Sequence, residues 1–567
     1  FTFNTLGAGD RTLSAEYPGD SNFNSSLSST INQTVNQATL VGTGSPASCN
    51  ETALGTALAH GGKVAFYCGN SPFTITLTSQ KTIGIDAVLD GEANVTLSGG
   101  NTTRLFYVNN GIHFGLENIN IVNGHLSGAA KGGAIYNDGG ILNTTNTTFK
   151  GNNITVVGRD NEYSYGGAIY NLNGTLNIET SNFISNFMTV GGNCLSTCGV
   201  LGIGIFNDGA NSSINITSTI FNQNYSSSSN QLTFLGAVLH SANGTIDVEN
   251  STFTDNTINP YTNPICCYNQ SIAGATAIQN YVGTMTIKNT IFSGNKSVQS
   301  DLTRANSQGF FGPIYNSGSL TIEMSKFTDN QGAIFNNTGG SLTINNTLFS
   351  NNNYNVSDSF YAGGVTNYSG LIKINGSTFS GNSTKGTGGA IYNHIANGQV
   401  IISNSTIDSN TASYGGAIVN DNDGSTITIY NSAISNNTDF AGTGVGIVDY
   451  GYSSIGISIW NSIISNSAGN PNCNDYYLNG SNNIDSSNNC RFTSPSSNLS
   501  NTNPLLDELK DNGGPTLTRA LLPDSPAIGF GSPSICSAIP VNGVDQRGFP
   551  RPQPENSMCD TGAFEKD

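Results

Sequence analysis

Charge is what this chain has least of. Acidic and basic side chains make up 10% of its 567 residues, against about 25% in ordinary globular domains. Only 19 residues are Lys or Arg, set against 36 Asp or Glu, for a net charge of −17. No basic cluster exists that could displace counterions from phosphates, which excludes nucleic acid as a partner. No apolar run approaches the about 20 residues of a membrane helix, which excludes a transmembrane segment of that kind. Trp occurs once and the five His are scattered. His-Glu-x-x-His, Gly-x-Ser-x-Gly and the Walker loop are missing, so the familiar hydrolase and nucleotide chemistries have no motif to rest on.

What is abundant is glycine, 69 residues, together with Asn, Ser and Thr, and these fall into a repeated sentence. It reads small-small-Ala-Ile-aromatic-Asn, a Gly turn, Leu-x-Ile, then Phe-x-x-Asn. Clear copies begin at Gly132, Gly166 and Gly388; weaker ones begin at Gly202, Gly236, Ala275, Gly312, Gly332, Gly363, Gly415 and Gly444. The Ala-like position advances by 20 to 40 residues per copy. A repeat of this length is one supersecondary unit that cannot bury its own apolar face, so neighbours must stack. Alternating β-branched and aromatic residues between Gly-Asn turns make the units strands. Stacked strands with turns in register predict a parallel β-helix, right-handed by the usual chirality of parallel crossovers.

The remaining chain divides around the repeats. Residues 1–37 read as strands with a turn at Pro18-Gly19-Asp20, and residues 38–70 as a linker followed by a capping helix near Glu51 to His60. Ser48 and Glu51 suit a capping box, and Gly61 a C-terminal stop. The β-helix is expected over 71–468 and a distinct C-terminal region over 469–567. The chain starts at Phe1 and reads as a mature or trimmed product.

Ten cysteines fall into local groups: Cys49 with Cys68, Cys194 with Cys198, Cys266 with Cys267, Cys473 with Cys490 and Cys536 with Cys559. An even count in a chain so poor in charge predicts disulfides and an extracellular setting. Zinc at Cys194, Cys198, Cys266 and Cys267 is the competing reading, with His240 as the nearest imidazole, and the pairing among those four stays open.

Two resemblances follow from particular motifs. The Tyr-Pro-Gly-Asp-Ser-Asn-Phe turn and Gln-Thr-Val ending of residues 1–37 resemble the last strands of a bacterial Ig-like repeat. Asn503–Leu506, Asn512–Thr518, Ser525–Ile528, Asp545–Arg551 and Cys559–Glu565 resemble, in order, the motifs of bacterial choice-of-anchor Q surface proteins. The repeats are similar to those of chlamydial polymorphic membrane proteins. The resemblance implies a secreted or surface-displayed β-helix and no particular activity.

The search for chemistry starts from side-chain direction. The Ile slot (Ile135, Ile169, Ile205, Val238 and their counterparts) faces inward, so the next residue faces out. Tyr136, Tyr170, Phe206, Tyr315, Phe335 and Tyr392 would then form a stripe, either a platform for sugar rings or a ladder that stabilises the stack under loops. The repeated Asn suits left-handed turns and amide pairing between coils. Asp138 and Asp208 are the candidates for a catalytic carboxylate pair, roughly 10 Å apart on the strand spacing. Asp421, Asp423 and Asp449 are the candidate calcium ligands, although Asp-Asn-Asp-Gly lacks the spacing of a calcium loop. No other cofactor is expected.

The expected function is a non-catalytic extracellular rod or adhesin, whose partners would be polysaccharide or other surface proteins. The alternative is a polysaccharide lyase or glycoside hydrolase. Residues 1–37, as unpaired strands, offer a route to a head-to-tail homopolymer.

Overall fold

The computed structural model describes residues 9–35, 38–157, 161–192, 198–229, 233–259, 272–297, 312–355, 361–439, 446–450, 456–465, 471–474, 477–494, 497–555 and 557–566. Each copy of the repeat is one coil. In the coil that begins at Gly132, the strands Ile135–Asp138, Ile141–Thr145, Thr148–Lys150 and Asn153–Val156 follow one another around the axis. Each runs parallel to its counterpart one coil on, with Ile135 on Ile169, Leu142 on Leu176, Phe149 on Phe183 and Ile154 on Met188. Thirteen parallel strands, from Lys81–Ile83 to Ile447–Asp449, make one continuous side of the stack. The fold is a parallel β-helix.

Its interior follows from the alternation of side chains along each strand. Phe149, Phe183, Phe221, Phe253, Phe292, Phe327, Phe349 and Phe379 are fully buried. Their ring centroids follow one another at 4.4 to 5.0 Å, the separation of hydrogen-bonded strands. Each such ring contributes about 1.5–3 kcal/mol by leaving water.

The two tasks expected of one asparagine are divided between different residues. Asn152, Asn186, Asn224, Asn256, Asn295, Asn330, Asn352, Asn382, Asn410 and Asn437 form an internal ladder. Each amide nitrogen donates to the amide oxygen of the next member at 2.9–3.0 Å. The left-handed bends lie elsewhere, at Asn146, Thr180, Ser218, Asn250, Asn289, Met324 and Asn346, with φ between 46° and 52°.

The N-terminal end closes the stack as anticipated, with different details. Thr39–Val41 is not linker but a strand paired with Gly62–Phe66. The helix Glu51–His60 buries Leu54, Ala57 and Leu58. Its N-cap is Asn50, whose side chain accepts from the Ala53 amide. The Ser48–Glu51 capping box does not form. The Ser48 hydroxyl turns back to the Ser45 carbonyl, and Glu51 reaches out to Lys81 and Thr78. In front, Gly9–Leu13 pairs antiparallel with Ile31–Val35, and Glu16–Tyr17 with Ser26–Leu27.

At the other end, Ile484–Asp485 adds a rung beyond Ile463–Ser465, so the stack runs past residue 468. The chain then folds back along the flank as a strap. Thr516 donates to the Gly376 carbonyl and Thr378 to the Leu517 carbonyl, at 2.7 and 2.6 Å. Gln546 bonds Thr406, Thr378 and Thr516, and Asn461 exchanges bonds with the Ser532 backbone. Disulfides join Cys49 to Cys68, Cys473 to Cys490 and Cys536 to Cys559. Cys198 is also disulfide-bonded; Cys194, Cys266 and Cys267 lie outside the described residues. Among the described residues, no helix is long and apolar enough to cross a membrane.

Candidate functional site

The residue after each inward Ile projects from the outer surface of the thirteen-stranded side. Strand register places Tyr107, Tyr136, Tyr170, Phe206, His240, Gln279, Tyr315 and Phe335 in one row. The copy at Gly236 is shifted by one residue. Leu239, not Val238, occupies the Ile slot opposite Ile205, which brings His240 into the aromatic row.

The row is a covered ladder along most of its length. Tyr170, Phe206, Tyr315, Phe335 and Tyr392, five of the six rings considered as a sugar platform, are each less than 8% exposed. Tyr136 is half-buried. The rings stack on each other instead: Tyr107 on Tyr136 at 5.0 Å, Tyr170 on Phe206 at 5.6 Å and Phe206 on His240 at 4.6 Å. Tyr165 lies edge-on to Phe206 at 4.7 Å, and Tyr361 covers Phe335. Burial takes their faces away from any ligand.

The candidate carboxylates share one position and one task. Asp138 and Asp208 stand on either side of Leu172 in register, so they are two coils apart and do not face each other as a pair. Each accepts a hydrogen bond from the phenol of the preceding coil. Tyr107 donates to Asp138, and Tyr170 donates to Asp208 at 2.6 Å. Asp421 occupies the same slot and receives the Tyr392 hydroxyl in the same way, with His394 Nδ1 at 3.0 Å. The hydrogen bond to Asp138, aided by burial, pushes the Tyr107 phenol up to about 12. Burial and then the aspartate bond raise Tyr170 and Tyr392 further. These phenols are protonated donors at neutral pH.

The calcium candidates do not converge. Asp449 is 2% exposed and ends a second ladder, in which Asn367 donates to Asn393 and Asn393 to Asn420. It accepts from Asn420 Nδ2 at 3.1 Å and from the Gly456 amide at 3.0 Å. Asp423 sits exposed at a turn, and Asp421 belongs to Tyr392. Among the described residues, no group of three or more His, Cys, Asp or Glu side chains is arranged to hold a metal.

Four residues that the repeat pattern did not single out complete this surface: Arg104, Lys131, Tyr165 and Tyr107. Arg104 is held by the carbonyls of Gly132 and Lys131, at 2.8 and 2.5 Å, and by Gln80 Oε1 at 2.7 Å. Burial lowers its guanidinium from the usual arginine range. Its charge lies 5.4 Å from the Tyr136 ring centre. Lys131 Nζ lies 2.8 Å from the Tyr170 hydroxyl and 4.6 Å from its ring centre, with Tyr165 at 5.8 Å. One signal existed for the two basic residues: Arg104 comes just before the Phe106-Tyr107 pair and Lys131 before the Ile135-Tyr136 pair one coil on. Further along, burial pushes the His240 imidazole down to about 4.

The last two C-terminal motifs, Asp545–Arg551 and Cys559–Glu565, form a buried ionic knot. Asp545 binds Arg547 Nε and the amides of Arg547, Phe549 and Glu565. Arg551 donates to the carbonyls of Asp560 and Gly562 and lies 3.5 Å from Glu565. Arg547 stacks on Phe564 at 3.6 Å. This arrangement ties the strap to itself.

No family model matches the chain, and no curated protein matches it. Among solved structures it is similar to a mutant alginate lyase of the PL6 family, at 9% identity over 82% of this chain and 99% of that one, with a TM-score of 0.13.

Proposed function

We propose that this protein is a secreted or cell-surface β-helix that acts without catalysis, as a rod or adhesin. The observation that carries this reading is the engagement of the candidate acids. Asp138, Asp208 and Asp421 each accept a tyrosine hydroxyl from the coil before, and Asp449 ends an internal amide ladder. Raised phenols and engaged carboxylates make a resting structural network rather than an acid/base pair poised for proton transfer. The buried disulfides, and the resemblance of the C-terminal motifs to those of choice-of-anchor Q surface proteins, support an extracellular place for it.

A second reading, an acidic-polysaccharide lyase, draws on one arrangement. Lys131 Nζ, the Tyr170 hydroxyl and the Asp208 carboxylate form a hydrogen-bonded chain. The half-buried Lys131 ammonium could neutralise a uronate carboxylate.

A panel of acidic and neutral polysaccharides, with and without calcium, separates the two. New reducing ends and the ultraviolet absorbance of unsaturated sugars are followed. The rod reading expects no turnover. Cleavage abolished by Lys131→Met or Asp208→Ala would overturn it in favour of the lyase.

A further inference from the structure

We propose that Arg104, Lys131, Tyr136 and Tyr165 form a binding site for a carboxylated pyranose within an acidic polysaccharide. In a chain of net charge −17, these two cations lie side by side, joined through the bond from Arg104 to the Lys131 carbonyl. Both are half-buried. Among the described residues neither makes an ion pair with a carboxylate, whereas Lys63, Lys81, Lys288 and Lys510 each do. Partly desolvated charge without a counter-ion is costly, and an incoming anion relieves that cost.

The donors are disposed for a ligand. Arg104 is locked by three acceptors and supplies fixed positive potential beside Tyr136. Lys131 carries three N–H groups and uses one on Tyr170, which leaves two for a carboxylate. Burial raises the phenols of Tyr136 and Tyr165, so both remain hydroxyl donors at neutral pH. Asp138 and Asp208, at the C-terminal ends of strands Ile135–Asp138 and Ile205–Asp208, accept hydrogen bonds and suit sugar hydroxyls. They would repel a doubly charged phosphate. That mixture of cation, phenol and carboxylate selects an acidic sugar over a nucleotide or an inorganic anion.

The inference takes from the rod reading only that the partner is a polysaccharide, and it holds whether or not the polymer is cut. The test is fluorescence anisotropy of labelled oligogalacturonate and oligoalginate, with cello-oligosaccharide as the neutral counterpart, in about 0.15 M salt. The intact protein is expected to bind at least one of the uronate oligomers and not the neutral one. Loss of a charge-assisted bond in Lys131→Met should weaken binding about ten- to a hundredfold. Lys131→Arg should retain most of it, and Lys373→Met, on another face, should change nothing. Circular dichroism checks the fold of each variant, and Tyr136→Leu replaces Lys131→Met if that variant is unfolded. No uronate binding, equal binding of the neutral oligomer, or full binding by Lys131→Met overturns the proposal. The rod reading fails separately, through turnover.

Discussion

Asparagine performs two different services in this protein, and they respond differently to substitution. Asn256 sits inside, where its amide nitrogen bonds the Phe221 carbonyl and Asn295, while its oxygen accepts from the Asn224 backbone and side chain. Asn256→Leu strands several buried polar groups at once. It should cost about 3–5 kcal/mol in urea denaturation, because unmade buried hydrogen bonds carry their full desolvation penalty. Met324 illustrates the other service. It occupies the left-handed bend with φ of 47° and is 49% exposed, a conformation its Cβ disfavours. Met324→Asn removes a misfit without touching the core. Thermal melting should show a gain of about 0.5–1 kcal/mol. A loss would mean that the Met side chain contributes more than its exposure indicates.

The helix Glu51–His60 is a lid whose attachment is ionic at one end. The Glu51 carboxylate receives Lys81 Nζ at 2.5 Å and the Thr78 amide and hydroxyl at 3.0 and 2.7 Å. Burial acts against the charged form, but the Lys81 and Thr78 donors together hold Glu51 down to about 2 from an ordinary 4.5. A depressed carboxylate stabilises the folded state above its unfolded value, and that contribution disappears as pH falls from 4.5 towards 2. At about 1.4 kcal/mol per unit it amounts to at most about 3.5 kcal/mol, less what solvent screens. Hydrogen-exchange protection factors in residues 51–60, corrected for the intrinsic rate at each pH, should therefore fall across that interval. Glu51→Gln should show the lower protection already at pH 7 and lose the acid dependence.

Along the whole molecule, contacts pass from each coil to its neighbours, while the strap links several coils at once. Arg519 pairs with Asp408 at 2.7 Å, where the aspartate side chain is 3% exposed. Removing the arginine alone leaves a buried charge. Arg519→Leu should cost about 3–5 kcal/mol, and Asp408→Asn in the same chain should recover part of it. Limited proteolysis should release residues 503–566 and loosen the coils from Gly376 to Asn461. Coils before residue 350 should keep their protection, since a solenoid conveys stability between neighbours. Uniform loosening of the rod would refute that picture. Residues 9–35 contribute no comparable core, with Phe23, Leu27 and Ile31 all at least 60% exposed. Light scattering with and without them tests head-to-tail association.

The spacing of Gly-Ala-Ile-Tyr-Asn and Phe-x-x-Asn was enough to determine a parallel β-helix, its inward Ile row and its asparagine pairing. Those features depend only on side-chain alternation and on placing like above like, which are local rules. The three disulfides closed by Cys49, Cys473 and Cys536 were legible for a similar reason, since each partner lies within about two dozen residues. Tertiary structure decided which outward residues remain outward. Tyr170 and Tyr392 follow the same local pattern as Tyr136 but are sealed by neighbouring rings and loops, and no strand period records what the covering segment will be. The slip that puts His240 into the aromatic row, and the diagonal bonds from Tyr107, Tyr170 and Tyr392 to the next coil's aspartate, depend on exact register. The strap's grip on Thr378 and Asp408, and the meeting of Arg104 with Lys131, join residues from different turns of the chain. Such contacts are set by the path of the backbone in space, which the pattern within a single copy does not contain.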